Sequence, residues 1–160
     1  MERMLAFPAV LFALALLGVA VVASWTDVTQ RRIPNWLCAG NLVLGLSYAG
    51  LAHGGGWQAV GLSSVHVLAA LAVTMVLFAV GAIGAGDAKF YASMAAWVPI
   101  GQGLYLLVSV ALAGLVVLVV FFAVRPRGQA ERAASERSSF NKLPYGVAIA
   151  LGGLAAVGLS

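Results

Sequence analysis

Two aspartates are the residues of this 160-residue chain whose positions could support chemistry. Asp27 follows the first apolar run, and Asp87 follows the segment Gly81–Gly86, which holds three glycines. A carboxylate at membrane depth costs roughly 2.5–3.5 kcal/mol on insertion scales, so it indicates a functional site. Glycines permit irregular backbone and close approach, which this depth tolerates only where protein or water covers it. We therefore predict a wet, protein-lined pocket that contains both aspartates.

Two neighbouring carboxylates are suited to acid–base chemistry. They cannot both ionise easily, so the pKa of one is pushed upward and the two can serve as base and acid. The base would take a proton from a water that attacks a peptide carbonyl, and the acid would protonate the carbonyl oxygen and later the amine. Which aspartate plays which role is not readable from the sequence, because a coupled pair titrates as a unit.

Other interpretations of the two acids stay open at this point. Asp27 could pair with Arg31 or Arg32 beside the membrane, and Asp87 could cap the amino terminus of a helix. Acid pairs also line ion and proton pathways. A small proton- or ion-coupled transport protein and a structural subunit of a secretion machine are therefore alternatives to an enzyme.

The composition indicates an integral membrane protein. The chain is 62% hydrophobic and 9% charged, whereas soluble domains carry about 25% charged residues. Its length predicts a single domain over residues 1–160. The net charge of +4 mainly reports membrane topology, so we predict no nucleic-acid partner. One cysteine excludes an internal disulfide and a multi-cysteine zinc site, and we predict no metal and no cofactor.

Apolar runs predict an all-α, polytopic fold with six transmembrane helices and a charged connector at 125–142. The runs cover residues 4–25, 36–52, 58–82, 88–98, 104–124 and 143–159. With the amino terminus outside, the inside loops hold eight of the nine basic residues, as the positive-inside rule requires. Both aspartates then lie at the cytoplasmic side, and all four tryptophans fall at span ends, where an aromatic belt would place them.

The fourth run is too short to cross the membrane as an ordinary helix. Its eleven residues rise only about 16 Å, against a hydrocarbon core of roughly 30 Å. The fourth helix could still be a span if it starts at Asp87 inside the cytoplasmic leaflet, with the glycine-rich segment leading the chain down to that depth. The first polar loop is expected at 24–35, where Pro34 suits the first turn of the second helix.

Three motifs carry a resemblance to a known family. They are Asp27-x3-Arg31-x-Ile33-Pro34-Asn35, Gly84-x-Gly86-Asp87-x-Lys89 and the tail that begins Leu143-Pro144-Tyr145-Gly146. Together they resemble the type IV prepilin peptidases, which are intramembrane aspartic proteases of the GxGD class, over nearly the whole chain. The resemblance implies that Asp27 and Asp87 are the catalytic pair.

The resemblance also implies a substrate and a location. Family substrates are prepilin-like proteins with a short basic leader, a glycine and then an apolar helix, cut after the glycine on the cytoplasmic side of the bacterial inner membrane. The chain has one cysteine and begins its first span almost at once, so it looks like the short, peptidase-only form of tight-adherence (Flp) pilus systems. Methyltransferase activity is accordingly not expected.

Several residues next to the aspartates are candidates for shaping the site or binding substrate. Gly84 and Gly86 would let the backbone approach the substrate. Lys89 either holds an ionised carboxylate, touches the substrate backbone or is a snorkelling topology charge, and Arg31 presents a similar choice. Asn35, next to Pro34, is expected to cap or orient the loop.

Polar residues inside the predicted spans are expected to link helices. His66, Asn41 and Thr74 each lie in an apolar run, where an interhelical hydrogen bond is the expected role. With no second ligand near His66 in the sequence, we predict no metal there. Gly152 is expected to be a close-packing site.

Overall fold

The computed structural model describes residues 2–51, 56–124 and 145–159, and the regular elements of these residues are helices. There are six α-helices in the described part. They are α1 (Glu2–Gln30), α2 (Asn35–Leu51), α3 (Gly56–Ala79), α4 (Ala85–Met94), α5 (Gly103–Val124) and α6 (Tyr145–Leu159), with short 3₁₀ turns at Ala95–Trp97 and Ile100–Gln102. The predicted all-α class is confirmed.

Three of the helical segments are long and apolar enough to cross a membrane: Ala9–Gln30, Gly56–Ala79 and Ile100–Val124. The prediction of an integral membrane protein with several apolar helices is therefore confirmed. The six crossings, their orientation and the single domain stay predictions. The charged connector predicted at 125–142 lies outside the described residues.

Helix α1 is longer than the sequence predicts, and the polar loop expected at 24–35 is confined to residues 31–34. The hydroxyl of Thr26 donates to the Val22 carbonyl at 3.0 Å, and that of Thr29 donates to the Trp25 carbonyl at 2.6 Å. Because these polar side chains bond back to their own helix, they do not end it. Asp27 therefore lies in the last turn of α1, and the expectation that it lies in a loop is wrong.

The turn between α3 and α4 depends on glycine, as predicted. Gly81 has φ +77°, and the amides of Gly81 and Ala82 donate to the carbonyls of Phe78 and Leu77, each at 2.9 Å. This pair of bonds is the Schellman arrangement that ends a helix with a left-handed residue. Helix α3 consequently stops at Ala79, three residues before the predicted end of that run.

Helix α4 and the turn after it form the buried centre of the fold. The indole nitrogen of Trp97 donates to Asn41 Oδ1 on α2 at 3.0 Å, and Asn41 Nδ2 donates to Ser93 Oγ at 2.9 Å. Trp97 is only 1% exposed, so its predicted place in an interfacial belt is wrong. Its N–H finds a buried acceptor instead, and the ring lies against Gly45, where a Cβ would approach the indole to 2.8 Å.

Two other predicted links between helices are present. His66 Nδ1 lies 2.8 Å from the backbone oxygen of Val98, and because a carbonyl only accepts, the ring nitrogen is the donor. Thr74 Oγ1 donates to the Ala70 carbonyl of its own helix at 2.8 Å and approaches the Ala88 carbonyl on α4 at 3.3 Å. The contact of Thr74 with Ala88 links α3 to α4, and the bond of His66 to Val98 links α3 to the turn that follows α4.

Helix α6 packs against α1 on one side and α5 on the other. Its contact with α5 is at backbone distance, because a Cβ added to Gly152 would meet the Cα of Val110 and lie 2.6 Å from the Val110 nitrogen. The close-packing role predicted for Gly152 is confirmed. This contact fixes the position of the last helix relative to the rest of the chain.

Candidate active site

Asp27 is held by the start of helix α6. Its side chain is buried, with 8% exposed, and its Oδ2 accepts the backbone N–H of Gly146 at 2.7 Å. Arg31 and Arg32 are exposed. The charge of Arg31 acts on the Asp27 carboxylate less strongly than the hydrogen bond from Gly146 does. The alternative in which Asp27 is mainly the partner of a juxtamembrane arginine is therefore not what the structure shows.

Asp87 is partly buried and lies in the first turn of α4. The cap residue is Gly84, in extended conformation with φ −76° and ψ 153°. The Asp87 carboxylate turns back toward the cap residue, since a Cβ on Gly84 would lie 2.9 Å from Asp87 Oδ2. The expectation that Asp87 begins or caps its helix is thus wrong: the helix begins at Ala85 and Gly84 caps it.

Asp87 lies within the electric field of Asp27. Burial and, next to it, the negative charge of Asp27 raise the pKa of Asp87 to about 6. Asp87 lies outside the three long apolar helices, at the end of the molecule where α1 finishes and α4 begins. The pairing of Asp27 with Asp87 stays a prediction, and the effect of the Asp27 charge on Asp87 is of the kind that two carboxylates sharing a site exert on each other.

Small residues and Ile33 close the site around the carboxylates. A Cβ on Gly84 would lie 2.9 Å from Asp87 Oδ2, and one on Gly86 would lie 3.5 Å from the Ile33 nitrogen. A Cβ on Gly146 would lie 2.8 Å from Asp27 Oδ2 and 2.9 Å from Ile33 Cδ1. The loop at residues 31–34, the start of α4 and the start of α6 thus meet at this site. A methyl group on Gly146 would not fit there.

Lys89 forms a hydrogen bond between two helices that the sequence does not predict. Its ammonium donates to Asn35 Oδ1 at 3.2 Å, which ties α4 to the first residue of α2 at an exposed position. The carbonyl of Pro34 accepts the amides of Leu37 and Cys38 at 3.1 and 3.3 Å, so Pro34 lies directly before α2, one residue outside the first turn in which it was expected. The orienting role expected for Asn35 therefore takes the form of a bond to Lys89.

Sequence reasoning missed two contributors to the site. Gly146 acts through its amide, and Ile33 acts through its buried side chain, 7% exposed. Both lie in segments singled out by their motifs, which was the signal that could have found them. In the described residues, no group of three or more His, Cys, Asp or Glu side chains is close enough together to hold a metal.

Comparison with known proteins identifies the family. The model of the type IV leader peptidase family (Peptidase_A24) matches residues 14–119, more than half of the chain and a range that includes both aspartates. The chain belongs to this family. Type IV leader peptidases are aspartic proteases, so the protein is a peptidase rather than a transport protein or a structural subunit. No curated protein and no solved structure matches the chain.

Replacing Asp87 with asparagine is expected to stabilise this leader peptidase in a pH-dependent way. The pKa of Asp87 is raised from 3.8 to about 6, so the folded protein pays for ionising this group as the pH rises from about 4 to 6. The penalty is absent below this window and complete above it, and it amounts to at most about 3 kcal/mol. Asparagine carries no such penalty.

The measurement is the thermal unfolding temperature of the wild type and Asp87→Asn in the same detergent between pH 4 and 8. The advantage of the variant should be near zero at pH 4, grow up to pH 6 and stay constant above. A difference that is flat across the range, or that shrinks as the pH rises, would contradict the raised pKa.

Proposed function

We propose that this leader peptidase is an intramembrane aspartic endopeptidase whose catalytic residues are Asp27 and Asp87. The observation that carries the proposal is electrostatic. Asp27 on α1 is buried, and its charge acts on Asp87 at the start of α4, whose pKa is raised by burial and by that charge. This is the electrostatic pattern of an acid–base pair. The match to the leader peptidase family over both residues supports it.

The proposed reaction is hydrolysis by a water activated between the two aspartates. One carboxylate removes a proton from the water as it attacks the peptide carbonyl, and the other carboxyl protonates the carbonyl oxygen. The C–N bond then breaks as the amine receives a proton. Neither aspartate forms a bond to the substrate, so no covalent intermediate is required.

The proposed topology has six spans, with the amino terminus outside and both aspartates at the cytoplasmic side of the bacterial inner membrane. Asp27 at the end of α1 and Asp87 at the start of α4 lie in the same electric field. This agrees with the proposed topology, in which the first span ends and the fourth begins on the same side of the membrane. Helix α4 has only ten residues before its 3₁₀ turn and is largely buried against its neighbours. That supports a start for this span below the membrane surface.

The site-shaping residues have proposed roles that follow from their contacts. Gly84 leaves room for the Asp87 carboxylate, and Gly86 lies against the backbone of Ile33; without side chains, both are proposed to let the substrate backbone approach Asp87. Pro34 and Asn35 set the loop, and Lys89 braces it by its bond to Asn35. Arg31, exposed and left-handed with φ 52°, follows the last residue of α1, four positions after Asp27, and adds positive charge at the mouth of the site.

The proposed substrates are prepilin-like proteins, as in tight-adherence (Flp) pilus systems, cut after the glycine that precedes their apolar helix. A protease binds its substrate as an extended strand, and a glycine is the residue at which a helix unwinds at least cost. The leader remains in the cytoplasm, on the side where the aspartates are proposed to face. The lipid bilayer holds the enzyme and the apolar helix of its substrate together.

The test is cleavage of a candidate prepilin co-expressed with the peptidase, with mass spectrometry of the new amino terminus. We expect the terminus to begin directly after the leader glycine, and cleavage to fall by roughly tenfold or more when that glycine is replaced by valine. The same prepilin expressed without the peptidase is the control. A terminus at another position, or cleavage that ignores the glycine substitution, would argue against this specificity.

A further inference from the structure

The two aspartates differ in what lies against their carboxylates. Asp27 is buried and its Oδ2 accepts the backbone N–H of Gly146, at the start of another helix, at 2.7 Å. Asp87 is less buried, and its Oδ2 lies beside Gly84, the cap residue of its own helix. Hydrogen bonds from N–H groups favour the ionised form of a carboxyl group.

The donors at Asp27 belong to the start of α6, and this adds to their effect. Amides in the first turn of a helix have no acceptor inside the helix, so those of Gly146 and Val147 are available to a carboxylate. The charged and titratable groups near the pair in the described residues are Arg31 beside Asp27, Tyr145 and Cys38 within the field of Asp87, and Lys89 near Cys38.

From this geometry we infer that the first turn of α6 keeps Asp27 ionised as the general base, which leaves the shared proton on Asp87 as the general acid. Gly146 is then the positioning residue of the reaction. The inference rests on the proposed function of the pair. It assigns the two roles that the sequence leaves open.

The proton balance of the reaction follows. Asp27 takes a proton from the attacking water while Asp87 gives its proton to the carbonyl oxygen, which yields a neutral tetrahedral diol. When the C–N bond breaks, Asp27 gives its proton to the leaving amine and Asp87 recovers one from a hydroxyl of the diol. The products are a carboxylic acid and an amine, and the pair returns to its starting state.

Gly146 cannot be replaced without moving Asp27. A Cβ there would lie 2.8 Å from Oδ2 and 2.9 Å from Cγ of Asp27, so a methyl group displaces the carboxylate from the amide. Gly158 on the same helix has no atom within 4 Å of an added Cβ. Gly146→Ala and Gly158→Ala therefore form a matched pair that separates this effect from the change of glycine to alanine in a helix.

We expect Gly146→Ala to lower kcat by roughly 10²-fold, the size of effect that an ångström-scale misplacement produces, with little change in KM. We also expect the acidic limb of its rate–pH profile to move to higher pH by about one unit, because Asp27 loses a donor that favours its ionised form. Gly158→Ala should match the wild type in both respects. An unchanged pH profile in an impaired Gly146→Ala would overturn the positioning role.

A second measurement does not depend on activity or on the alanine variant. The infrared band of protonated carboxyl groups is titrated in Asp27→Asn and in Asp87→Asn, with the double variant subtracted to remove the glutamates. We expect Asp87, alone in Asp27→Asn, to stay protonated to higher pH than Asp27, alone in Asp87→Asn. The opposite order would overturn the assignment, whereas cleavage by either asparagine variant would overturn the proposed function itself.

Discussion

Asp27→Asn and Asp87→Asn are each expected to reduce prepilin cleavage by roughly 10²–10⁴-fold, the contribution of a positioned acid or base. Asparagine keeps the size of the side chain but can neither take the proton of the water nor give one to the carbonyl oxygen. The double variant should be no more impaired than the worse single variant, because residues that act as a unit are not additive. The measurement is the initial rate of leader removal from purified prepilin in detergent or proteoliposomes.

The control for this series is Ser47→Ala, which removes a hydroxyl that bonds only to its own helix at the Val43 carbonyl, 2.8 Å away. It should cleave at the wild-type rate. Asp87→Asn should be at least as stable as the wild type above pH 6, so its inactivity cannot be attributed to unfolding. Cleavage that persists in both variants would exclude the aspartates as catalysts, and a defect in only one of them would exclude a pair.

Gly152→Val is expected to lower the stability of the peptidase more than any surface substitution. The atoms in the way are backbone atoms of α5, namely the Val110 nitrogen at 2.6 Å and the Ser109 carbonyl carbon at 2.8 Å from an added Cβ. Backbone cannot rotate aside as a side chain can, so α5 and α6 must separate. Overpacking of this kind typically costs about 1–3 kcal/mol, occasionally more.

Thermal unfolding and cleavage should be measured on Gly152→Val and Gly158→Val together. The second variant carries the same change of residue type in the same helix, at a position with open space, so the difference between the two reports the helix contact alone. Cleavage should fall in Gly152→Val as well, because α6 carries Gly146. Equal unfolding temperatures for the two variants would show that the α5–α6 contact is not as tight as described.

Much of the fold could be predicted because apolar runs in a membrane protein have to be helical. Each of the six runs contains a helix in the described residues. The errors concern polar residues whose partners are distant or unexpected. Thr26 and Thr29 looked like loop residues but bond to their own helix, and Trp97 looked interfacial but is buried against Asn41. A one-dimensional pattern does not show where a hydroxyl or an indole N–H finds its acceptor.

The candidate site was predictable where side chains carry the chemistry and unpredictable where the backbone does. Asp27 and Asp87 are identified by the cost of placing a carboxylate at membrane depth. The donor to Asp27 is a main-chain amide, which every residue except proline has, so nothing in the residue type of Gly146 marks it as a donor. The link between Lys89 and Asn35 likewise depends on how α2 and α4 pack, which spacing along the chain does not fix.

The bond between Asp27 and Gly146 joins positions 119 residues apart, nearly the two ends of the chain. Contacts this distant in sequence form late, since both partners have to be present before the contact can compensate for the entropy of closing the loop. During synthesis on the ribosome, the first carboxylate enters the membrane long before its amide donor exists. Under the proposed roles, the nascent chain therefore lacks the amide donor of Asp27 until α6 has been made and has docked.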